Sequence, residues 1–461
     1  MSTLATPTAP SEFQWHPQPE AAALVERLLS EYVAKHARIR DLKTQMHDLT
    51  GTRLVDWVDH FVVQPSDTFP SEALGVGYEI GTDLDTTVWR HSAGMFPPLV
   101  VADKRMHGGL TTGVAIKVED VNSFLAKHAL AHNALPMGAP GGQLRIALIA
   151  ATNDVGLWIV ERHGFTGFTP PTVMPDQIAA AAQHFQRFTN RERSFDFPAE
   201  GFANVRRLIQ AAQADIGVDW ATDLFFAAER AYWQARNRAG QSQYARQQRL
   251  GLGWANHDHH TYRSSRECFK DLIETLESLG FECRERFYAG REAGWGAQVL
   301  EQHGCGLCVF ADVDLSPEEV AGDFAHQPLR ERDELGTVGL WCALHGEAFL
   351  EAGMHHLEAQ FDFDSAREQL QSAAVHSMDP FTNFPFLRQA FTVGEVWPVE
   401  PARIELLLAA GRITPEQADK FRREGALGSH LEVLERNDGY KGFNQTGISD
   451  IIHRTDPRRG A

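Results

Sequence analysis

What the chain has little of is positive charge. Its 461 residues carry 43 Lys and Arg against 61 Asp and Glu, a formal net charge of −18. A polyanionic partner would need a local basic patch against that field, and no basic run is long enough to make one. Neither nucleic acid nor an anionic membrane surface is an expected partner. Cysteine is scarce and odd-numbered, five in all, which suits a reducing compartment rather than a disulfide-stapled fold. Cys305 and Cys308 form one CxxC with no second pair beside it, and within the apolar run "CGLCVF" they read as a buried strand. No apolar run approaches the roughly 18 residues of a membrane span. The opening "MSTLATPTAPSEF" lacks the basic and apolar blocks of a signal peptide. A cytoplasmic protein is expected.

What is present is material for a core, 43% hydrophobic and 10% aromatic residues. The length suggests two to three domains of about 100–200 residues. Residues 1–50 read as an N-terminal helical segment, amphipathic from Pro19 to Leu49. Residues 51–170 hold irregular short strands and then a βαβββ module, in which "GLTTGVAIKV", the helix "EDVNSFLAKHALA", "LRIALIAA" and "GLWIVERHG" follow one another. Residues 171–250 carry no strand signal and form a helical insertion. Residues 251–315 repeat the strand–helix–strand order, and residues 316–461 are a mixed C-terminal region. The class is α+β, built on paired βαβββ modules.

Two segments support the pairing. "GLWIVERHG" (156–164) and "GAQVLEQHG" (296–304) share Gly, four residues, Glu, one residue, His and Gly. Each follows a strand that begins near histidine: His107 in one case, the "HDHH" cluster (257–260) in the other. A glutamate inside an apolar strand is costly to bury unless something neutralises it, and a divalent metal shared with imidazole does so. Period-two geometry places His257, His259, Thr261 and Arg263 on one strand face, with Asp258, His260 and Tyr262 on the other. Arg263 on the His259 face suits a carboxylate-bearing substrate.

Paired units with a metal-binding His on the first strand and a Glu on the last resemble the vicinal oxygen chelate superfamily. More closely, "DHHTYRS" (258–264) resembles the "NHLTPRT" motif of the 2-oxoadipate dioxygenase/decarboxylase family, and "VLEQHG" (299–304) its "EIEQRG". The resemblance implies iron(II) held by His107, His259 and Glu301, with Arg263 on a substrate carboxylate. His107 is taken from its place in the repeat; the arginine that follows this His in the family has no counterpart here. The implied reaction is oxidative decarboxylation of a small 2-oxo acid, with O2 as co-substrate.

Two other readings stand beside it. Glu161 as a fourth ligand would give a glyoxalase-type lyase or isomerase, and paired modules of this kind also form non-catalytic ligand-binding clefts. His257 and His260 are read as supporting donors or surface residues. "GMHHLEAQFDFD" (353–364) starts like a further histidine-bearing strand, either a plain one or a source of a ligand. In the tail, 439–461, the polar residues Tyr440, Lys441, Asn444 and Gln445 are candidates for a lid or for a disordered end.

Overall fold

In a computed structural model, residues 14–64, 69–83, 86–102, 109–132, 134–444 and 456–458 are described. The N-terminal amphipathic stretch is two helices, Pro19–Lys35 and Ala37–Thr50. They part at His36, which is extended and whose side chain accepts from the Arg38 N–H to cap the second helix.

Alternating apolar residues then build a seven-stranded sheet. Its strands are β1 (Val58–Val63), β2 (Tyr78–Asp83), β3 (Thr86–His91), β4 (Leu99–Val101), β5 (Thr112–Lys117), β6 (Leu144–Thr152) and β7 (Val155–Arg162), in the spatial order β2-β3-β4-β1-β5-β7-β6. Two units meet at an antiparallel β1–β5 seam. In the first, β1, the helix Phe69–Gly75, β2, β3 and β4 follow in turn, and β4 returns parallel to β1. In the second, β5, the helix Val121–Lys127, β6 and β7 follow, and β7 returns parallel to β5. A single bridge, Met137 to Ile146, stands where this unit's outermost strand would be.

Four helices, Pro175–Thr189, Pro198–Ile216, Val218–Ala235 and Arg238–Gln248, lead to the second sheet. Here β8 (His257–Arg263), the helix Phe269–Ser278, β9 (Glu282–Tyr288), β10 (Trp295–Gln302) and β11 (Leu307–Asp314) make a third βαβββ unit, with β11 parallel to β8. A fourth runs from β12 (His356–Gln360) through the helix Phe363–Ser372, β13 (Thr382–Phe384) and β14 (Leu387–Phe391). It ends, after β15 (Glu395–Trp397) and two helices, in β16 (Ala426–Arg436), parallel to β12. The order is β13-β14-β16-β12-β8-β11-β10-β9, with an antiparallel β12–β8 seam.

Among the described residues each sheet is thus a pair of such units, four in all where two were expected, the second of them short of its outermost strand. The region 51–170 holds two, and the region 316–461 supplies the fourth. One expectation falls with this. β7 closes its unit parallel to the first strand, whereas β10 is an interior strand antiparallel to β9 and β11. The "ERHG" and "EQHG" segments therefore occupy non-equivalent strands.

The two faces of the second sheet differ in chemistry. Tyr262, Val309, Ala311, Leu357, Ala359, Leu431 and Val433 pack with the helical layer in one buried core. The alternate residues of the same strands point the other way and line a cavity.

Candidate metal centre

The pairing of β8 with β12 skips one residue: His257 lies opposite Ala359 and His259 opposite Glu358. Asp258 is the extra residue of this bulge. An unpaired residue of this kind leaves the pleat and can turn toward its neighbour. Asp258 accepts from His259 Nδ1 at 2.8 Å, and Arg436 grips it with Nε at 2.8 Å and Nη2 at 2.9 Å. Gln360 donates a further bond at 2.8 Å. With Nδ1 committed to Asp258, His259 presents Nε2 to the cavity. The bulge also alters the expected facing. His257 lies against His260, with ring centroids 5.2 Å apart, rather than beside His259, and neither lines the cavity.

Two carboxylates meet His259 Nε2. Glu358 lies 3.0 Å from it, and Glu432 is the register partner of Glu358 on β16. One ligand atom each from His259, Glu358 and Glu432 lies within 4.8 Å of the other two, and all three residues are buried. Thr261 donates to Glu358 at 2.8 Å and Gln389 to Glu432 at 2.8 Å. His356 Nε2 stands 2.5 Å from Glu358 and 3.7 Å from Glu432. Burial alone would discharge His259, but Glu358 and Asp258 outweigh it and lift its pKa to about 9. For Glu358 burial raises the pKa, yet the two histidines hold it at about 2. Glu432 is pushed well above the carboxylate range, first by burial and then by Glu358. Two adjacent buried carboxylates call for more positive charge than one imidazolium brings.

A divalent cation fits that need. One imidazole and two carboxylates, with no thiolate among them, make a donor set suited to iron or manganese among first-row metals. Glu358 Oε2 is buried with no hydrogen-bond partner among the described residues, a lone pair open to a ligand.

The cavity above the cluster measures about 80 Å³. Its walls are aromatic, with Phe287, Trp295, Phe310, Phe391 and Phe443 among them. At its far end stand Arg263 and Asp312, register partners on β8 and β11. Both are buried, and among the described residues Arg263 Nε and Nη1 and Asp312 Oδ1 have no hydrogen-bond partner. The Trp341 ring lies 5.7 Å from the guanidinium. Burial, opposed by Arg263, raises the Asp312 pKa to about 8.

The sequence-expected residues separate. His259 and Arg263 enter the cavity. Glu301 does not: it sits opposite Cys308 on β10, and β11 intervenes between it and β8. Two strand spacings put it about 9–10 Å along the row from His259. Its carboxylate is taken by Lys441 at 3.1 Å and Arg284 at 3.6 Å. Glu161 lies in the first sheet, bonded to Arg145, His163 and the Val121 N–H. His107 falls outside the described residues, as does Gln445. Glu432 was not singled out, and His356 and Glu358 only as part of the stretch 353–364 offered as a source of a ligand, although a signal exists. The tripeptide His-Leu-Glu occurs at 356–358 and again at 430–432, and the two copies pair in register on parallel strands.

The residue equivalent to His259 in the first sheet is His60. It follows a bulge at Asp59 on the β1–β5 seam, and its Nδ1 lies 2.6 Å from Asp59. Arg162 grips Asp59 through Nε at 2.6 Å and Nη2 at 2.9 Å, as Arg436 grips Asp258. The likeness continues past the strand. Arg162 Nη1 donates to the carbonyls of Phe165 and Gly167, and Arg436 Nη1 to those of Tyr440 and Gly442. Phe168 lies edge-on to His60 and Phe443 edge-on to His259, both at 4.9 Å. In sequence these are "ERHGFTGF" (161–168) and "ERNDGYKGF" (435–443).

No family model matches the chain, and neither does any curated protein. Among solved structures it is similar to a glyoxalase superfamily protein from Ralstonia eutropha JMP134, at 12% identity over 57% of this chain and 97% of the other, with a TM-score of 0.33. It is similar to methylmalonyl-CoA epimerase from Mycobacterium tuberculosis, at 14% identity over 40% of this chain and 88% of that one, TM-score 0.23. A triple mutant of 4-hydroxymandelate synthase from Streptomyces coelicolor is matched at 14% identity over 88% of this chain and 99% of that one, TM-score 0.26.

Proposed function

We propose that the chain is a mononuclear metal enzyme of the vicinal oxygen chelate kind, an iron(II) dioxygenase/decarboxylase acting on a small 2-oxo acid. The observation that carries this reading is the buried His259–Glu358–Glu432 cluster, opening into a cavity whose far end is Arg263 with unpartnered donors. His259, Glu358 and Glu432 would hold the metal. The iron assignment and the 2-oxo acid come from the motif resemblance around His259 and Arg263. When bound, iron(II) supplies the one-electron chemistry that lets O2 react with an organic acid.

The rest is the work of the chain's own groups. Asp258 fixes the His259 ring so that Nε2 faces the cavity, and Arg436 keeps Asp258 ionised. Arg263 offers a planar donor fork to a carboxylate, held in place by Trp341. The aromatic walls keep water from the reacting groups. Asp312, protonated near neutral pH, can donate a hydrogen bond beside that fork.

Metal content and O2 uptake test the reading together. Protein purified without oxygen should hold about one iron per chain and consume O2 with a 2-oxo acid. Turnover that needs a metal but no O2 would point to the lyase or isomerase reading, and a chain that holds no metal would sink the proposal.

A further inference from the structure

The cavity is smaller than its purpose requires. An apolar cavity of about 150 Å³ just accommodates benzene, and this one measures about 80 Å³. Phe443 takes up the missing room. Its ring stands 4.9 Å from the His259 ring and 4.4 Å from Phe310. It is only partly buried, at the end of the short segment that follows β16.

That segment has a firm base and a weak tip. At the base, buried Arg436 donates to the carbonyls of Tyr440 and Gly442. At the tip, Lys441 Nζ meets Glu301 at 3.1 Å, with side chains 18% and 20% exposed. Asn444 adds a bond to Thr382 at 3.0 Å. A partly solvated Lys–Glu pair is weak and is screened by salt. The first sheet shows the same arrangement without the ion pair. There Phe168 is buried and exposed Thr166 stands in the place of Lys441, while Arg90 and Arg162 flank the ring at 5.7 and 5.1 Å much as Arg284 and Arg436 flank Phe443 at 5.4 and 4.8 Å.

We infer that the Lys441–Glu301 ion pair is a latch holding Phe443 in the cavity mouth, and that its release admits the substrate. Glu301, set beside the site rather than in it, is then a gatekeeping residue. The inference rests on the cavity being the working site, but its test does not use turnover. Cys308 is a native reporter: it lies between His259 and Glu301 in the cross-strand row and packs, half-buried, in the same cluster as Phe443.

The experiment is alkylation of Cys308 by iodoacetamide in the metal-free full-length protein, followed by peptide mass mapping. Lys441→Gln should raise the rate about two- to five-fold, the scale of losing one such pair. Removing a nearby positive charge would by itself disfavour the thiolate and slow the reaction, so acceleration reports access. The exchanged pair, Glu301→Lys with Lys441→Glu, should return the rate to that of the parent. Phe443→Ala sets the fully open limit. An unchanged rate in Lys441→Gln, beside a fast Phe443→Ala, overturns the latch, and an unchanged rate in both overturns the plug. Failure of the metal assignment would appear in metal content and leave the Cys308 rates as they are.

Discussion

The two sheets carry the same frame and opposite contents. In each, a bulged aspartate orients a histidine, the arginine that ends the closing strand clamps the aspartate, and a phenylalanine covers the imidazole. What lies beneath the histidine differs at every position. The register that sets Glu358 opposite His259 sets Ala115 opposite His60. The register that sets Glu432 beside Glu358 sets Trp158 beside Ala115. Likewise His356 and His430 pair in the second sheet where Gly113 and Gly156 pair in the first. The glycines make room: a Cβ on Gly113 would come within 2.6 Å of the Trp158 indole, and one on Gly156 within 2.2 Å. Thr261 and Phe310 are likewise replaced by Val62 and Val100. The first sheet fills with one indole the volume that the second lines with carboxylates and imidazoles. Frame and chemistry are separable.

The largest effect on function should come from the carboxylates. Glu358→Gln and Glu432→Gln should each weaken metal binding about 10²-fold or more, some 3 kcal/mol, while Glu161→Gln and Glu301→Gln keep the metal. Metal per chain by elemental analysis decides this, and loss in Glu301→Gln equal to that in Glu432→Gln would return Glu301 to the ligand set.

Next is the indole. Trp158→Ala should destabilise the protein by about 3–5 kcal/mol through the cavity it leaves, with metal stoichiometry unchanged. Denaturant unfolding measures the first and elemental analysis the second. A Trp158→Ala protein that unfolds at the parent's midpoint would show that the first sheet is not held by its filled interior.

Arg263 separates a carboxylate-bearing substrate from a neutral one. Arg263→Ala should lower kcat/KM about 10²-fold without changing metal content, because it deletes one partner of a desolvated pair. Arg263→Lys should recover only part of this, since an ammonium lacks the planar fork. Wild-type kinetics in Arg263→Ala would remove the acid-recognition half of the proposal.

The last effect is confined to a pH window. Asp312 has a folded pKa raised to about 8, against an ordinary value near 4. The folded state therefore holds a proton that the unfolded state has released, and stability falls as pH rises from about 4 to about 8. Asp312→Asn removes that dependence. In metal-free protein, its gain in Tm over the parent should be greater at pH 9 than at pH 5, as calorimetry would show. Ala102, at the corresponding place in the first sheet, has nothing to titrate.

His259 and Arg263 were legible because they sit on one short strand whose alternation is visible in the residues themselves. Glu358 and Glu432 come from strands about 100 and 170 residues further on, and only a seam and a parallel return bring them to His259. Glu301 misled because "VLEQHG" and "LWIVERHG" match in letters while their strands differ in place. The true counterpart of the second is "LEVLERNDG" (431–439), which carries one more residue before its glycine. His60 was missed because residues 52–105 are broken by turns and gave no order. The CxxC is only partly the buried strand expected: Cys308 lies on β11 and Cys305 in the turn before it, both half-buried, and all five cysteines are free.

The bulge also sorts the residues into two kinds. One extra residue, an aspartate, stands at the same point of both seams, between the same pair of ladder partners, followed by histidine. In both sheets an arginine serves that extra residue and an aromatic ring covers the histidine. A substitution at Asp258 or Arg436 therefore loosens the frame, whereas one at Glu358 or Glu432 changes only what the frame encloses.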